Sequence, residues 1–248
     1  MNQAYTQDFA RVYNLLWGDF ARSVAPRLHD FYMARPDAER SLLDVCCGTG
    51  QLALYFLERG FTVTGVDLSE HMIAHARQNT SAYRERAAFS VADAADFTID
   101  QPVGLAVSTF DALNHLPDAD ALRRCFACVY AAVQDGGTFV FDLNTRVGLQ
   151  RWNGISITDA PDVTLINRGI YDGGERGYTR ITGFIREDDG RYTRFEENAY
   201  NTAFDLVHVR DLLEDTGWRD VYCARAADLA TPLDEPEREG RVFVVASR

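Results

Sequence analysis

The chain has 248 residues, 46% of them hydrophobic, 12% aromatic and 25% charged, which describes a folded globular protein with one large core and excludes a disordered or fibrous chain. Its 25 basic residues face 37 acidic ones, a formal charge of −12, and that excess repels phosphate backbones and anionic lipid headgroups, which argues against nucleic-acid and membrane partners. Every basic residue is arginine, so Schiff-base chemistry and the phosphate-binding lysine of a P-loop are excluded.

No apolar run approaches the roughly 18 to 20 residues a membrane span needs. The opening MNQAYTQDFARVYNLLWGDF carries an early acid and lacks a basic-then-apolar targeting pattern, so a cytoplasmic protein is expected. The five cysteines, Cys46, Cys47, Cys125, Cys128 and Cys223, are odd in number and clustered, which suits reduced thiols better than a disulfide framework. Cys125 and Cys128 fall in an amphipathic helical pattern with no second ligand pair at zinc-finger spacing, so they read as core residues and no metal site is expected.

In chain order, residues 1–40 read as a helical cap with aromatics at Phe9, Tyr13, Trp17 and Phe20 recurring every third or fourth position. From Ser41 strands and helices alternate: SLLDV, a glycine turn, the helical QLALYFLER closed by Gly60, then FTVTGV. Ser69 is placed to cap SEHMIAHARQN; AAFSVAD and LAVSTF follow as strands, PDADALRRCFACVYAAV as a helix, QDGG as a turn and TFVFDLN as the fifth strand. The stretches TLINRGIYDG, GYTRITGFIRED and RYTRFEENAYNTAF are β-branched and aromatic and broken by DGGERG and DDG, so residues 151–204 read as an antiparallel β insert. The helical DLVHVRDLLEDTGW and two closing strands complete the chain. The whole, residues 1–248, reads as a single α/β domain, Rossmann-like, with a seven-stranded mostly parallel sheet, helices on both faces, and the insert after strand five.

The segment LLDVCCGTG places Asp44 at the end of the first strand and Gly48 and Gly50 in the turn before a helix, where open α/β sheets bind ligands. The second strand ends at Asp67, at the distance that suits a carboxylate accepting from ribose hydroxyls. Asp93 ends the third strand on the same edge and is able to accept from an adenine amine. Together these describe a nucleoside-cofactor site. A dinucleotide fold is the rival, since Ala53 is an allowed variant at the third glycine of its fingerprint.

LLDVCCGTGQLALYFLERGFTVTGVDLSEHMIAHAR resembles the first two motifs of class I S-adenosylmethionine-dependent methyltransferases, and the likeness extends through VADAADF, FDALNHLP and GGTFVFDLN to the last strands. FARVYN, FDALNHL, FDLNT and YTRFEENAY are similar to a small-molecule subgroup with a β insert, related to sugar-amine and glycine-type N-methyltransferases. The resemblance implies S-adenosylmethionine as cofactor, with Asp44 and the backbone of Cys46, Gly48 and Gly50 around its methionine part. Asp67 would hold the ribose, Leu68 pack on the adenine, and Asp93 and the Ala94 backbone read the adenine edge. The Phe110 carbonyl would accept from the methionine amine and Tyr13 close over the carboxylate. Two positions depart from the pattern: Cys46 replaces the first glycine, and Asn198 stands where subgroup members have a histidine. The implied reaction is methyl transfer to a small molecule, an amine nitrogen first and a hydroxyl as the alternative; a non-catalytic cofactor-binding protein is the other class. His115 is the candidate proton acceptor, and Tyr13, Asn114, His115, Trp152 and Tyr200 are candidates for the acceptor pocket. A monomer or homodimer is expected.

Overall fold

The computed structural model describes residues 5–248; the first four residues of the expected cap lie outside them. Strand β1 (Ser41–Val45) is flanked by β2 (Thr62–Asp67) and β4 (Val103–Ser108), with β3 (Ala87–Val91) outside β2 and β5 (Val133–Asn144) outside β4. These five run parallel. Strand β11 (Arg241–Ser247) pairs antiparallel to β5, and β10 (Arg219–Ala224) pairs antiparallel to β11. The sheet is therefore seven-stranded, in the order β3-β2-β1-β4-β5-β11-β10. Strand β4 is buried along its whole length, and its near-continuous apolar run marks a central parallel strand covered on both faces.

One face carries α2 (Gly18–Met33) and α3 (Gln51–Glu58), which bury Val24, Leu28, Leu52, Phe56 and Leu57 against Leu42, Leu105 and Val107. The other carries α5 (Ala119–Ala132) and the helix Leu206–Thr216. Helix α5 forms because Leu122, Cys125, Phe126 and Val129 make one apolar stripe, and because the Asp118 side chain accepts from the Ala121 N–H at its start. Cys125 is buried in that stripe and Cys128 packs against it. No helix among the described residues is long and apolar enough to cross a membrane.

Two local readings differ from the structure. Gln134–Gly137 is not a turn between helix and strand. Strand β5 starts at Val133 directly after α5, and the register against β4 slips between Val103 and Leu105, so these residues bulge out of the ladder. Gly136 N–H and Gly137 C=O then bond the backbone of Arg248 instead, a partner so distant in the chain that no local pattern reveals it. The second difference is a fourth insert strand. Residues 154–202 form an antiparallel meander of β6 (Gly154–Ala160), β7 (Val163–Ile170), β8 (Arg176–Arg186) and β9 (Tyr192–Thr202). Strand β6 is an edge strand exposed over nearly its whole length, so it buries no apolar face to signal it.

Helix α1 (Gln7–Leu16) joins the two sheets. Phe9, Ala10 and Val12 pack on Met72 of α4 (Glu70–Asn79) and on Val163, Leu165, Ile181, Ile185 and Phe195 of the insert. The aromatic face read from the sequence is thus divided: Phe9 holds the insert, Tyr13 and Trp17 face the open carboxyl edge of the main sheet, and Phe20, beyond the break at Trp17, stacks on Phe110.

Candidate active site

A cavity of 570 Å³ lies over the carboxyl ends of β1 to β5, between α1 and the insert. Its floor is made by loops. After β1, Cys46 (φ 58°), Gly48 (φ 51°) and Gly50 (φ 75°) all take left-handed backbone. Glycine adopts this freely, whereas Cys46 does so at a cost of about 1 kcal/mol. A Cβ on Gly50 would stand 3.0 Å from the Ala76 Cβ, so this glycine also sets the close approach of α3 and α4. A Cβ on Gly48 would meet the Tyr13 ring at 3.6 Å, which places that ring directly over the turn.

Asp67 closes the turn from the next strand. Its Oδ2 accepts from the Gly48 N–H and its Oδ1 from the Ser69 N–H, both at 2.9 Å. Burial pushes its carboxyl above the usual range, and the backbone N–H donors oppose that. Asp44 differs. It is 2% exposed, and its Oδ2 has no hydrogen-bond partner, like the nearby Thr49 Oγ1. Both border a recess of 30 Å³ shared with Tyr13, Trp17 and Gln51. With no cation beside it, the Asp44 carboxyl is pushed up to about 8, by burial first and by Asp67 second. A buried orphan acceptor of this kind is a seat for a donor that arrives with a ligand.

Residues 42–137 match the family model described as a methyltransferase domain. The chain carries a class I, S-adenosylmethionine-dependent methyltransferase domain. Over 220 residues it is 26% identical to a protein of Geobacillus sp. (strain WCH70) provisionally designated a methyltransferase, a match that covers 86% of each chain. It is 29% identical over 141 residues to the dTDP-3-amino-3,4,6-trideoxy-alpha-D-glucopyranose N,N-dimethyltransferase of Streptomyces venezuelae, covering 56% of this chain and 58% of that one. Its fold is similar to that of an S-adenosylmethionine-dependent methyltransferase from Clostridium acetobutylicum ATCC 824, with TM-score 0.81 at 20% identity over 97% of both chains.

In this methyltransferase the loop after β4 carries the least relaxed backbone. Phe110 (φ 70°) and Asp111 (φ 48°) are consecutive left-handed residues without a glycine. Both backbone N–H groups donate to the fully buried carboxylate of Asp142, at 2.5 and 2.9 Å. Arg241, entering from β11, donates to Asp142 and, at 2.5 Å, to Asp111 Oδ1, and its guanidinium lies 4.9 Å from the Phe20 ring. Asp142 feels burial pushing its carboxyl up and Arg241 pulling it down.

The cavity brings together Tyr13, Cys46, Gly48, Asp67, Leu68, Asp93, Ala94, Phe110, His115, Trp152 and Tyr200. Asp44 borders the adjoining recess instead, and Gly50 caps α3 behind the turn. His115 is half-buried, with Nε2 3.2 Å from the Tyr5 hydroxyl, and desolvation holds its imidazole below the ordinary value, so the ring is neutral near pH 7. The Trp152 carbonyl lies 2.2 Å from where a Gly169 Cβ would be; only glycine there lets this chain segment reach the cavity. Tyr200 lies under the Arg176 guanidinium at 4.5 Å.

Asn114 does not line the cavity, which corrects its assignment to the acceptor pocket. It is 0% exposed; its Nδ2 donates to the Asn144 and Thr202 carbonyls and its Oδ1 accepts from the Asn144 N–H. Its full complement of partners makes it a tie between the β4 loop, β5 and β9. Asn198 is exposed and absent from the lining. Sequence reasoning missed Tyr5, Asp111, Asp142 and Arg241. Asp111 and Asp142 stand inside the FDALNHL and FDLN motifs, a signal that was present; Arg241 joins them only through the antiparallel pairing of β11 with β5.

Proposed function

We propose that this methyltransferase transfers the methyl group of S-adenosylmethionine to the nitrogen of a small-molecule amine. The observation that carries the reading is a single cavity, 570 Å³ in volume, that runs from the cofactor edge of the main sheet to the inner face of the insert. That volume suits small ligands, and its cover of α1 and insert residues suits a molecule that enters whole. The amine preference is supported by the Streptomyces venezuelae relative, whose name specifies an amine nitrogen.

The residues present fit the cofactor. The unpartnered Asp44 Oδ2 would receive its ammonium, Asp67 its ribose hydroxyls, Leu68 and the Asp93–Ala94 loop its adenine, and Tyr13, the Gly48 turn and the Phe110 carbonyl its methionine part. When bound it supplies an electrophilic methyl group on a sulfonium. The chain contributes alignment and exclusion of water: α1 lies over the β1 turn, and the insert, with Trp152 and Tyr200, covers the acceptor side. His115 is the proposed proton acceptor, since a neutral, half-buried imidazole lining the cavity can take a proton from an ammonium or hydroxyl acceptor.

The test is release of S-adenosylhomocysteine with a panel of small amines and hydroxyls. Turnover on amines is expected; transfer to hydroxyls alone overturns the nitrogen assignment, and no turnover despite cofactor binding favours a ligand-binding protein. Calorimetry is expected to give micromolar binding of S-adenosylhomocysteine and weak binding of NAD, and the reverse order overturns the cofactor assignment.

A further inference from the structure

We infer that Asp111 receives the acceptor nitrogen and stabilises the positive charge that transfer delivers to it, an assignment that rests on the amine reading above. Asp111 is 8% exposed and lines the cavity. One of its carboxylate oxygens is fixed, because Oδ1 accepts from Arg241 Nη2 at 2.5 Å. Its Oδ2 makes no hydrogen bond to any described residue. A carboxylate anchored through one oxygen and unfilled at the other is pre-oriented to take one more donor.

The surroundings fit that use. Asp111 sits in left-handed backbone beside a second such residue, Phe110, and non-glycine residues are held there only where the surrounding structure compels it. The compulsion is Asp142, which binds both backbone N–H groups. Asp142 alone would pair the Arg241 guanidinium, so a second carboxylate is unnecessary for Arg241. Its presence leaves one arginine against two aspartates, a net negative charge in a largely enclosed place. Such a charge is costly when unpaired, and an incoming cation relieves it. Burial is the main cause of the shifts at three other cavity groups, raising the hydroxyls of Tyr5 and Tyr13 and lowering the His115 imidazole; the Asp111 charge adds to the first two and opposes the third.

The chemistry calls for an anion there. In the transfer the nitrogen lone pair forms the new N–C bond, the C–S bond breaks, and its electron pair stays on sulfur as a neutral thioether. The positive charge thus passes from sulfur to nitrogen, and the surplus proton of the methylated ammonium leaves to His115 or to water. A fixed carboxylate at the nitrogen is favoured more as the charge arrives, which is the condition for lowering the barrier.

The test separates this from a structural role and from failure of the amine reading. With S-adenosylhomocysteine in the cofactor site, binding of benzylammonium is compared with that of benzyl alcohol. The wild-type protein is expected to prefer the cation by about tenfold or more, and Asp111→Asn, which keeps an acceptor for Arg241, to lose that preference while binding S-adenosylhomocysteine within threefold of wild type. In turnover the variant is expected to lose kcat by on the order of 10²-fold with little change in cofactor KM. Equal binding of the two probes by the wild-type protein overturns the assignment without any variant, as does a cation preference retained by Asp111→Asn. Transfer to hydroxyls alone in the product panel would instead overturn the amine reading.

Discussion

Asp44 shows how burial sets the charge of one side chain. Because burial raises its carboxyl to about 8, the folded, cofactor-free protein holds a proton that the unfolded chain releases near the ordinary carboxylate value of about 3.9. The sign follows: its contribution to stability is full below the unfolded value and is lost as pH rises through about 8, at about 1.4 kcal/mol per pH unit within that window. Asp44→Asn is therefore expected to flatten the decline in Tm of the cofactor-free protein between pH 5 and pH 8, and to weaken S-adenosylhomocysteine binding at pH 8. Parallel melting curves for the two proteins across that range would refute the first part. Asp67→Asn is expected to cost about 1.5 to 3 kcal/mol of cofactor binding through the weakened charge-assisted bonds. It retains one carbonyl acceptor, for the Gly48 or the Ser69 N–H. An unchanged dissociation constant would make Asp67 a clamp on the turn and nothing more.

Among the elements, α1 is the one that holds the main sheet's helices and the insert together. Its end is tied to α4 through the Ser69 hydroxyl donating to the Tyr5 carbonyl, and to the insert through Thr6 donating to Glu197. The apolar anchor is Phe9, 3% exposed and set edge-on to Phe195 at 6.5 Å. Phe9→Ala is expected to remove about 3 kcal/mol or more of docking energy, to expose α1 to protease while the main sheet resists, and to weaken cofactor binding as Tyr13 leaves the Gly48 turn. Uniform protease resistance would show that the hydrogen bonds alone suffice. The helix pair below is governed by Gly50: Gly50→Ala meets a left-handed φ and a 3.0 Å contact with Ala76, so a loss of more than 1 kcal/mol is expected in denaturant melts.

For the whole molecule, total and local charge point in different directions. A net charge of −12 opposes the approach of polyanions from any side, so a transfer RNA or DNA fragment is expected to be methylated more slowly than every small-molecule acceptor in the panel, and faster methylation of the nucleic acid would refute this. Within the cavity the decisive feature is not the total but the placement of Asp111 against one arginine.

Length, charge and motif spacing by themselves determined the class of fold, most of the order of its strands and helices, and the sheet edge over which the cavity lies. They did so because a buried parallel strand, a capped amphipathic helix and a glycine turn each leave a local signature. The turn residues after β1, the acid ending β2 and the acid just beyond β3 were legible for that reason. Only the tertiary structure decided what depends on residues distant in the chain. Asn114, polar and near the cofactor edge, looked like a pocket residue until its partners Asn144 and Thr202 filled all its bonds. Strand β6 carried no buried face to announce it, and the QDGG bulge answers to the chain's last residue. Arg241 reaches Asp111 only because β11 runs antiparallel beside β5: a salt bridge has no period in sequence, so its partners become known only when the sheet brings them together.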